Sequence, residues 1–501
     1  MKILCLGNND YNTDEYVSQR ASKDNTVNNG LITDPTFIPE IDGYYHTTLV
    51  DLTPKEITKI AQNFDLITIF EQPTKEWSHW KLFLSTYKLI KELENNHQVK
   101  IESEDIFKGV EYFQNLVQTN KSFCIYPFIE LTEGREYVTL CARSNTKIAN
   151  KAVDIIDWKS APEYKEVREN MIKGEQLPNH CQECYDYENK GIESSRQFET
   201  MDWVGKLELK DINDVLSIDH PYYYEIRLSN KCNIMCRSCR PEHSHLIEKE
   251  YKIHNITFPD KQAWGYTNFD HVDISKLNKK SRIYLTGGEP SVMPEFYDFM
   301  EQCIEAGNTD FDFTIGTNAV SYTPKFLKLI DHFTNMNFSV SVDGYGKIND
   351  YQRWLSDFDT MMANAKLLQS KGHNITFLVV PGMYNVTNLH LLFEYFDREW
   401  PTPGLYVQVN HNLWQSAYNY PRPDLVIESM KKCQQTQTYL SDGRSCRSTV
   451  DSLLDYYSNN PKYDLKLLKQ FFDYNDQLDQ ARGVQLADYI PELDECRKFL
   501  G

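Results

Sequence analysis

Between residues 222 and 411 the chain alternates apolar, β-branched and aromatic runs with stretches of helical spacing. The runs read YYYEIRLS, RIYLTG, FDFTIGT, NFSVSVDG, NITFLVVPG and GLYVQVN. One intervening stretch, PEFYDFMEQCIEAG, sets Phe296, Phe299, Met300 and Cys303 on one helical face and ends on Gly307. Strands that alternate with helices imply crossover connections, hence a parallel sheet or barrel. In such barrels chemistry sits at the C-terminal ends of the strands. Three unusual features fall on that predicted rim: a cysteine loop after the first strand, Gly287-Gly288-Glu289 at the end of the second, and Asp343 at the end of the fourth.

The loop is SNKCNIMCRSC, with Cys232, Cys236 and Cys239 in a Cys-x3-Cys-x2-Cys spacing. Thiolates are soft ligands that suit zinc or iron–sulfur clusters. A structural zinc site wants four closed ligands, and only His243 or His245 stands near enough in sequence to complete one. Three thiolates on a 4Fe–4S cube would instead leave one iron open as a binding position.

The chain of 501 residues exceeds the ~250–300 at which a single core stops growing, so several domains are expected. A net charge of −19 repels phosphate backbones, and no long Lys/Arg run offsets it, which argues against a nucleic-acid partner. No segment reaches the ~18 apolar residues of a membrane span, and Met1–Gly7 is too short for a signal peptide, so a cytoplasmic protein is expected. Twelve cysteines in a reducing compartment point to metal binding or catalysis rather than disulfides.

Four segments follow from texture. Residues 1–115 read as an α/β domain, with strands in KILCLG, HTTLVDL and FDLITIF and helical patterns after Thr53-Pro54 and over about Lys75–Glu94. Residues 116–215 read as a small turn-rich module held by a bound ion or cluster. Residues 216–420 are the barrel, and 421–501 a polar helical extension packing on it. In the module, Cys124, Cys141 and the pair Cys181 and Cys184 supply four thiols, enough to close a zinc site or a cluster, and spacing does not choose between them. Cys5 and Cys303 read as core residues, and Cys433, Cys446 and Cys496 lack a Cys-x2-Cys unit.

Taken in order, the barrel motifs resemble the radical S-adenosylmethionine (SAM) superfamily, whose signature is Cys-x3-Cys-x2-Cys after the first strand of a partial α/β barrel. The resemblance spans roughly residues 222–411. It implies a partial (β/α)6 barrel in which Cys232, Cys236 and Cys239 hold a 4Fe–4S cluster whose open iron chelates SAM. Gly287, Gly288 and Glu289 resemble the motif that meets the SAM amino group. Ser341 and Asp343 resemble the residues that hold ribose hydroxyls. Arg353, in NDYQRW, resembles the arginine that pairs with the SAM carboxylate, where bidentate geometry favours Arg over Lys. Asn318, in GTNA, resembles the third-strand Thr-Asn-Gly, with Ala319 in place of glycine. Ser238 stands where the superfamily often has an aromatic residue against adenine, so no residue is assigned to that contact.

The second cysteine group resembles a twitch domain, a shortened relative of the SPASM domain, placed here before the barrel. That implies a second, auxiliary 4Fe–4S cluster at Cys124, Cys141, Cys181 and Cys184, for electron relay or structure. The implied activity is reductive cleavage of SAM to a 5′-deoxyadenosyl radical that abstracts hydrogen from a peptide or small molecule, fed by an electron donor such as flavodoxin or ferredoxin. The alternative is a non-catalytic iron–sulfur or zinc protein in which the barrel binds or regulates.

Overall fold

Alternation decides the large sheet. The computed structural model describes residues 3–7, 44–48, 66–69, 98–101, 104–133, 137–144, 146–149, 158, 161–189, 194–259, 266–400, 404–410, 412–441, 445–459 and 461–500. Its contacts divide into two units. One holds Met1–Ile129, Arg143–Asn145 and Asp157–His220; the other holds Glu130–Ala142, Thr146–Ile156 and Pro221–Gly501.

In the first unit β1 (Ile3–Gly7), β2 (Tyr44–Thr48), β3 (Leu66–Ile69) and β4 (Gln98–Ile101) form a parallel sheet in the order β2-β1-β3-β4. β4 is an addition to the three strands expected there, and the two helical expectations lie outside the described residues. The segment read as turn-rich is instead largely helical, with helices Pro162–Lys173, Pro178–Asn189 and Ser195–Leu207. Their apolar stripes are short and interrupted by charge, so period alone did not announce them. Local signals did mark the ends. Ser194 and Gln197 form a reciprocal capping box, and Gly174 closes a helix with φ of 79°. The core of this unit includes Val110, Phe113, Phe123, Tyr164 and Trp203.

The second unit is built on a seven-stranded sheet, all of it parallel. β5 is Glu130–Glu133, β6 Tyr223–Arg227, β8 Arg282–Thr286, β9 Asp312–Thr317, β10 Met336–Ser341, β12 Asn374–Val379 and β13 Gly404–Val407. Their order is β13-β12-β10-β9-β8-β6-β5. The six expected strands are all present. The correction is β5, which adds a seventh strand beside β6 and leaves the sheet an open α/β layer with β5 and β13 at its edges among the described residues. A short antiparallel pair, β7 (Met235–Cys236) and β11 (Arg353–Trp354), stands apart from it.

Side chains alternate across each strand. Tyr224, Ile226, Ile283, Leu285, Phe313, Ile315, Phe338, Val340, Phe377 and Val379 are buried on one face. Helices cover that face: Phe296 and Phe299 of helix Pro294–Ala306 meet the Phe313 ring at 5.5 and 6.0 Å, and Phe396 of helix Leu389–Glu399 stacks on Phe377 at 4.6 Å. Each fully buried phenylalanine contributes about 2–3 kcal/mol of transfer free energy. The opposite face carries half-buried, mostly polar residues, among them Glu225, Arg227, Tyr284, Thr286, Ser339 and Ser341. Cys303, Cys433, Cys446 and Cys496 are buried in the packed interior.

The C-terminal segment is helical, with helices Pro423–Cys433, Ser445–Ser458 and Leu465–Arg482. Asp464 caps the last, accepting from the Lys466 and Leu467 amides, and Gly483 ends it in the left-handed region. Among the described residues no helix is long and apolar enough to cross a membrane.

Candidate active site

The chain leaves β6 and enters the cysteine loop at once. Gly287 and Gly288 hold that loop from the end of β8. The Gly288 amide donates to the Ser229 carbonyl at 2.9 Å, and the Glu289 amide to the Lys231 carbonyl at 2.7 Å. A Cβ on Gly288 would lie 2.0 Å from the Lys231 oxygen, and Gly287 has φ of 121° with the Ser229 oxygen 2.9 Å from its Cβ position. Both positions demand glycine, so that one loop can lie against the other.

Glu289 is fully buried, and both its oxygens are taken by the chain. Oε1 accepts from the Thr317 hydroxyl at 2.9 Å and from the Ser291 hydroxyl and amide at 2.6 and 3.2 Å; Oε2 accepts from the Asn318 amide at 2.6 Å. Burial pushes its carboxyl above the usual range, and those donors oppose the shift. Glu289 thereby ties the end of β8 to the end of β9. It also fixes Asn318, whose Nδ2 donates to Asn233 Oδ1 at 2.7 Å and lies 4.0 Å from Cys232 Sγ.

On the far side of the loop, β7 pairs with β11, with Cys236 opposite Arg353. Arg353 Nη1 donates to Asp343 Oδ2 at 2.9 Å, and both side chains are almost wholly buried. Arg353 Nε is buried with no hydrogen-bond partner among the described residues. Asp343 is set in turn by its neighbours: its carbonyl accepts from Gln352 Nε2 at 2.7 Å and Asn385 Nδ2 at 2.6 Å, and its amide donates to Asn349 Oδ1 at 3.1 Å. Ser341 ends β10 on the polar face.

Burial raises all three thiols, and neighbouring thiols add to the rise at Cys232 and Cys239. Burial, then the neighbouring Cys236 thiol, pushes Cys232 up to about 12. Burial raises Cys236 as well, and burial with both other thiols raises Cys239. Three half-buried cysteines whose thiols resist ionisation form a donor set that a cationic metal centre would relieve. The unpaired Nε of Arg353 beside them fits an anionic group of a bound ligand. Among the described residues no three His, Cys, Asp or Glu stand together as a single-ion site. A cube binds each thiolate at a different iron and does not need them gathered at one point. The two histidines that a zinc reading would recruit have chain partners: His243 lies 3.1 Å from Arg227 Nη1, and His245 Nδ1 accepts from the Cys232 amide at 3.2 Å.

The second cysteine group falls on both units: Cys124, Cys181 and Cys184 belong to the first, Cys141 to the second. Cys181 and Cys184 lie one turn apart on helix Pro178–Asn189. Burial, then the charge of Cys184, pushes Cys181 up to about 11, and burial raises Cys184. Arg196, buried on helix Ser195–Leu207, ties this helix to the segment that carries Cys124. It donates twice to Glu188, at 2.9 and 2.7 Å, and to the carbonyls of Phe123 and Val117 at 2.7 and 3.1 Å.

Sequence reasoning missed Asn233, Thr317, Ser291, Arg237 and Arg196 as parts of these sites. Asn233 and Arg237 stood inside the cysteine loop and were open to notice. Thr317 and Ser291 stood beside the motif residues Asn318 and Glu289, and only Arg196 reaches its site through folding alone.

Residues 226–392 match the model of the Radical SAM superfamily. This stretch is a radical SAM domain, a unit of SAM-dependent radical chemistry, and the chain is an enzyme by virtue of it. Solved structures similar to the chain include native anSMEcpe with bound AdoMet, 18% identical, where 42% of this chain covers 58% of that one at a TM-score of 0.32. Another is Streptococcus suis SuiB bound to precursor peptide SuiA, 14% identical, covering 66% of this chain and 64% of that one at 0.29. A third is TYW1 with a lysine-pyruvate adduct bound, 13% identical, covering 41% and 70% at 0.24. The chain thus spans just over half the length of anSMEcpe. No curated protein sequence matches the chain.

Proposed function

We propose that this chain cleaves SAM reductively and uses the resulting radical to abstract hydrogen from a polar substrate, a peptide or small molecule. Cys232, Cys236 and Cys239 would hold a 4Fe–4S cluster, and Arg353, Asp343, Ser341, Asn318 and the Gly287–Glu289 turn would surround SAM. When bound, the cluster and SAM would supply the radical chemistry. The chain's own residues do the rest: Glu289 and the glycines keep the loop seated, Arg353 offers a buried cation to the SAM carboxylate, and the polar face of the sheet receives the substrate. The observation that carries the reading is the buried Nε of Arg353, without a hydrogen-bond partner among the described residues, on the strand paired with Cys236 in the three-cysteine loop.

A second 4Fe–4S cluster at Cys124, Cys141, Cys181 and Cys184 completes the proposal, serving electron relay or structure, with flavodoxin or ferredoxin as the class of donor. The test is anaerobic reconstitution with iron and sulfide, reduction, and addition of SAM. The expected result is 5′-deoxyadenosine with about eight irons per chain, abolished by Cys232→Ala and reduced to about four irons by Cys181→Ala. Zinc in place of iron would sink the reading. Full iron with Cys181→Ala would remove the second cluster from it.

A further inference from the structure

We propose that the C-terminal helix Leu465–Arg482 is a working part of the cysteine loop, holding its Cys236–Cys239 half in position through Arg237 and balancing that residue's charge. The proposal rests on the reading of the loop as a cluster site.

Arg237 lies between two of the proposed ligands and is fully buried. A guanidinium without water must be paired and hydrogen-bonded or it costs heavily. The pairing comes from the C-terminal helix: Nη2 lies 2.6 Å from Asp479 Oδ1, and Nη1 donates to Asn475 Oδ1 at 2.9 Å. Nε donates to the Tyr351 carbonyl at 2.8 Å, and the guanidinium stacks 3.6 Å over the Tyr351 ring. The backbone of Arg237 is held as tightly. Its amide donates to the Gln352 carbonyl at 2.7 Å, and its carbonyl accepts from Tyr474 Oη at 3.0 Å and Gln415 Nε2 at 2.9 Å.

Asn475, Asp479 and Arg482 recur at helical spacing and so share one face. The last of them grips the helix that follows the loop. Arg482 makes two 2.8 Å bonds to Glu250, both side chains buried, on helix His245–His254. One helix face therefore clamps the residue between two ligands and the helix that follows the third. A core residue filling space would not need its carbonyl held by two side chains. A loop that must keep its sulfurs in fixed places does.

The charge matters separately. Asp479 neutralises a buried cation within the loop. Removing only the carboxylate leaves a net positive charge near the cluster, which favours its reduced form; removing only the guanidinium leaves a negative one, which disfavours it.

The test uses the full chain as Asp479→Asn, Arg237→Gln and the paired Arg237→Met/Asp479→Leu, which replaces both charges with apolar groups. In the metal-free chain, hydrogen exchange at residues 236–240 is expected to quicken at least about tenfold in Asp479→Asn, with helix Leu389–Glu399 unchanged. In the reconstituted chain, spectroscopic redox titration is expected to move the midpoint potential up in Asp479→Asn and down in Arg237→Gln, with the paired variant near wild type. Opposite shifts are what a merely structural role would not produce. If a single variant fails to fold, the paired one still decides: normal exchange at 236–240 together with an unaltered electron paramagnetic resonance signal and iron content would show that the clamp does not set the loop. Wild-type exchange and potential in all three would overturn the proposal. A wild-type chain that binds no iron would defeat the functional reading, while the metal-free exchange would still judge the clamp.

Discussion

Arg353 Nη1 lies 2.9 Å from Asp343 Oδ2, so the two residues expected to meet different parts of SAM meet each other. Their side chains are only 11% and 7% exposed, which makes this a buried pair. Breaking a buried pair from one side leaves an uncompensated charge and costs about 3–5 kcal/mol. Asp343→Asn is therefore expected to lose about 3 kcal/mol in urea unfolding. It should also weaken SAM binding at least about tenfold by calorimetry, because Arg353 loses the partner that aims it. A variant with unchanged stability would show that the pair is not coupled.

Gly288 and Gly307 separate two reasons for glycine. At Gly288 a methyl group would strike the backbone of Lys231, the residue before Cys232, whereas at Gly307 nothing lies within 4 Å and only the positive φ matters. Gly307→Ala is expected to cost about 1 kcal/mol and leave iron uptake intact. Gly288→Ala must displace the loop, and it is expected to abolish iron uptake at Cys232, Cys236 and Cys239 while the rest of the fold survives. Iron content and circular dichroism of both proteins check the contrast.

Much of this was legible in the chain. The six long strands were visible because each is an apolar run of strand length, and the crossover helices because Phe296, Phe299 and Met300 recur at the right interval. β5 was not visible: ELTE is short and charged, and only its pairing with Tyr223–Ile226 makes it a strand. The cysteine loop was legible from spacing, but its support was not. Asn475, the partner of Arg237, lies 238 residues further along, and no local pattern announces it. Ala319 was noticed for standing where glycine is usual. In the structure its φ is 54°, a left-handed conformation that alanine adopts at a cost. Glu289 was legible as a carboxylate near a ligand, yet four donors of the chain occupy it, a fact that requires the ends of β8 and β9 to be neighbours.

Arg196 offers a test of the second cysteine group that leaves every thiol in place. It is buried, paired with Glu188, and donates to the carbonyls of Phe123 and Val117. Lysine keeps the charge but not the planar fork. Arg196→Lys is therefore expected to orphan at least one buried carbonyl and cost about 2 kcal/mol. If three of the four proposed ligands depend on this tie, the same variant should retain the iron at Cys232, Cys236 and Cys239 and lose the auxiliary iron. Loss of stability with full iron would confine Arg196 to holding the fold.

His271 gives the pH prediction. Its ring packs near Tyr224, 5.9 Å between centroids, and both ring nitrogens are buried without a hydrogen-bond partner among the described residues. Burial lowers its pKa from 6.5 to about 4, with Asp270 opposing the shift. The folded protein thus binds this proton less readily than the unfolded chain. The stability it contributes is fully present above 6.5 and is lost as pH falls toward about 4. Between pH 7.5 and 5 the expected loss from this residue is about 2 kcal/mol. His271→Phe keeps the ring, removes two unsatisfied nitrogens, and should flatten that part of the profile. Urea unfolding of both proteins at the two pH values measures the difference; parallel profiles would mean that His271 does not titrate there.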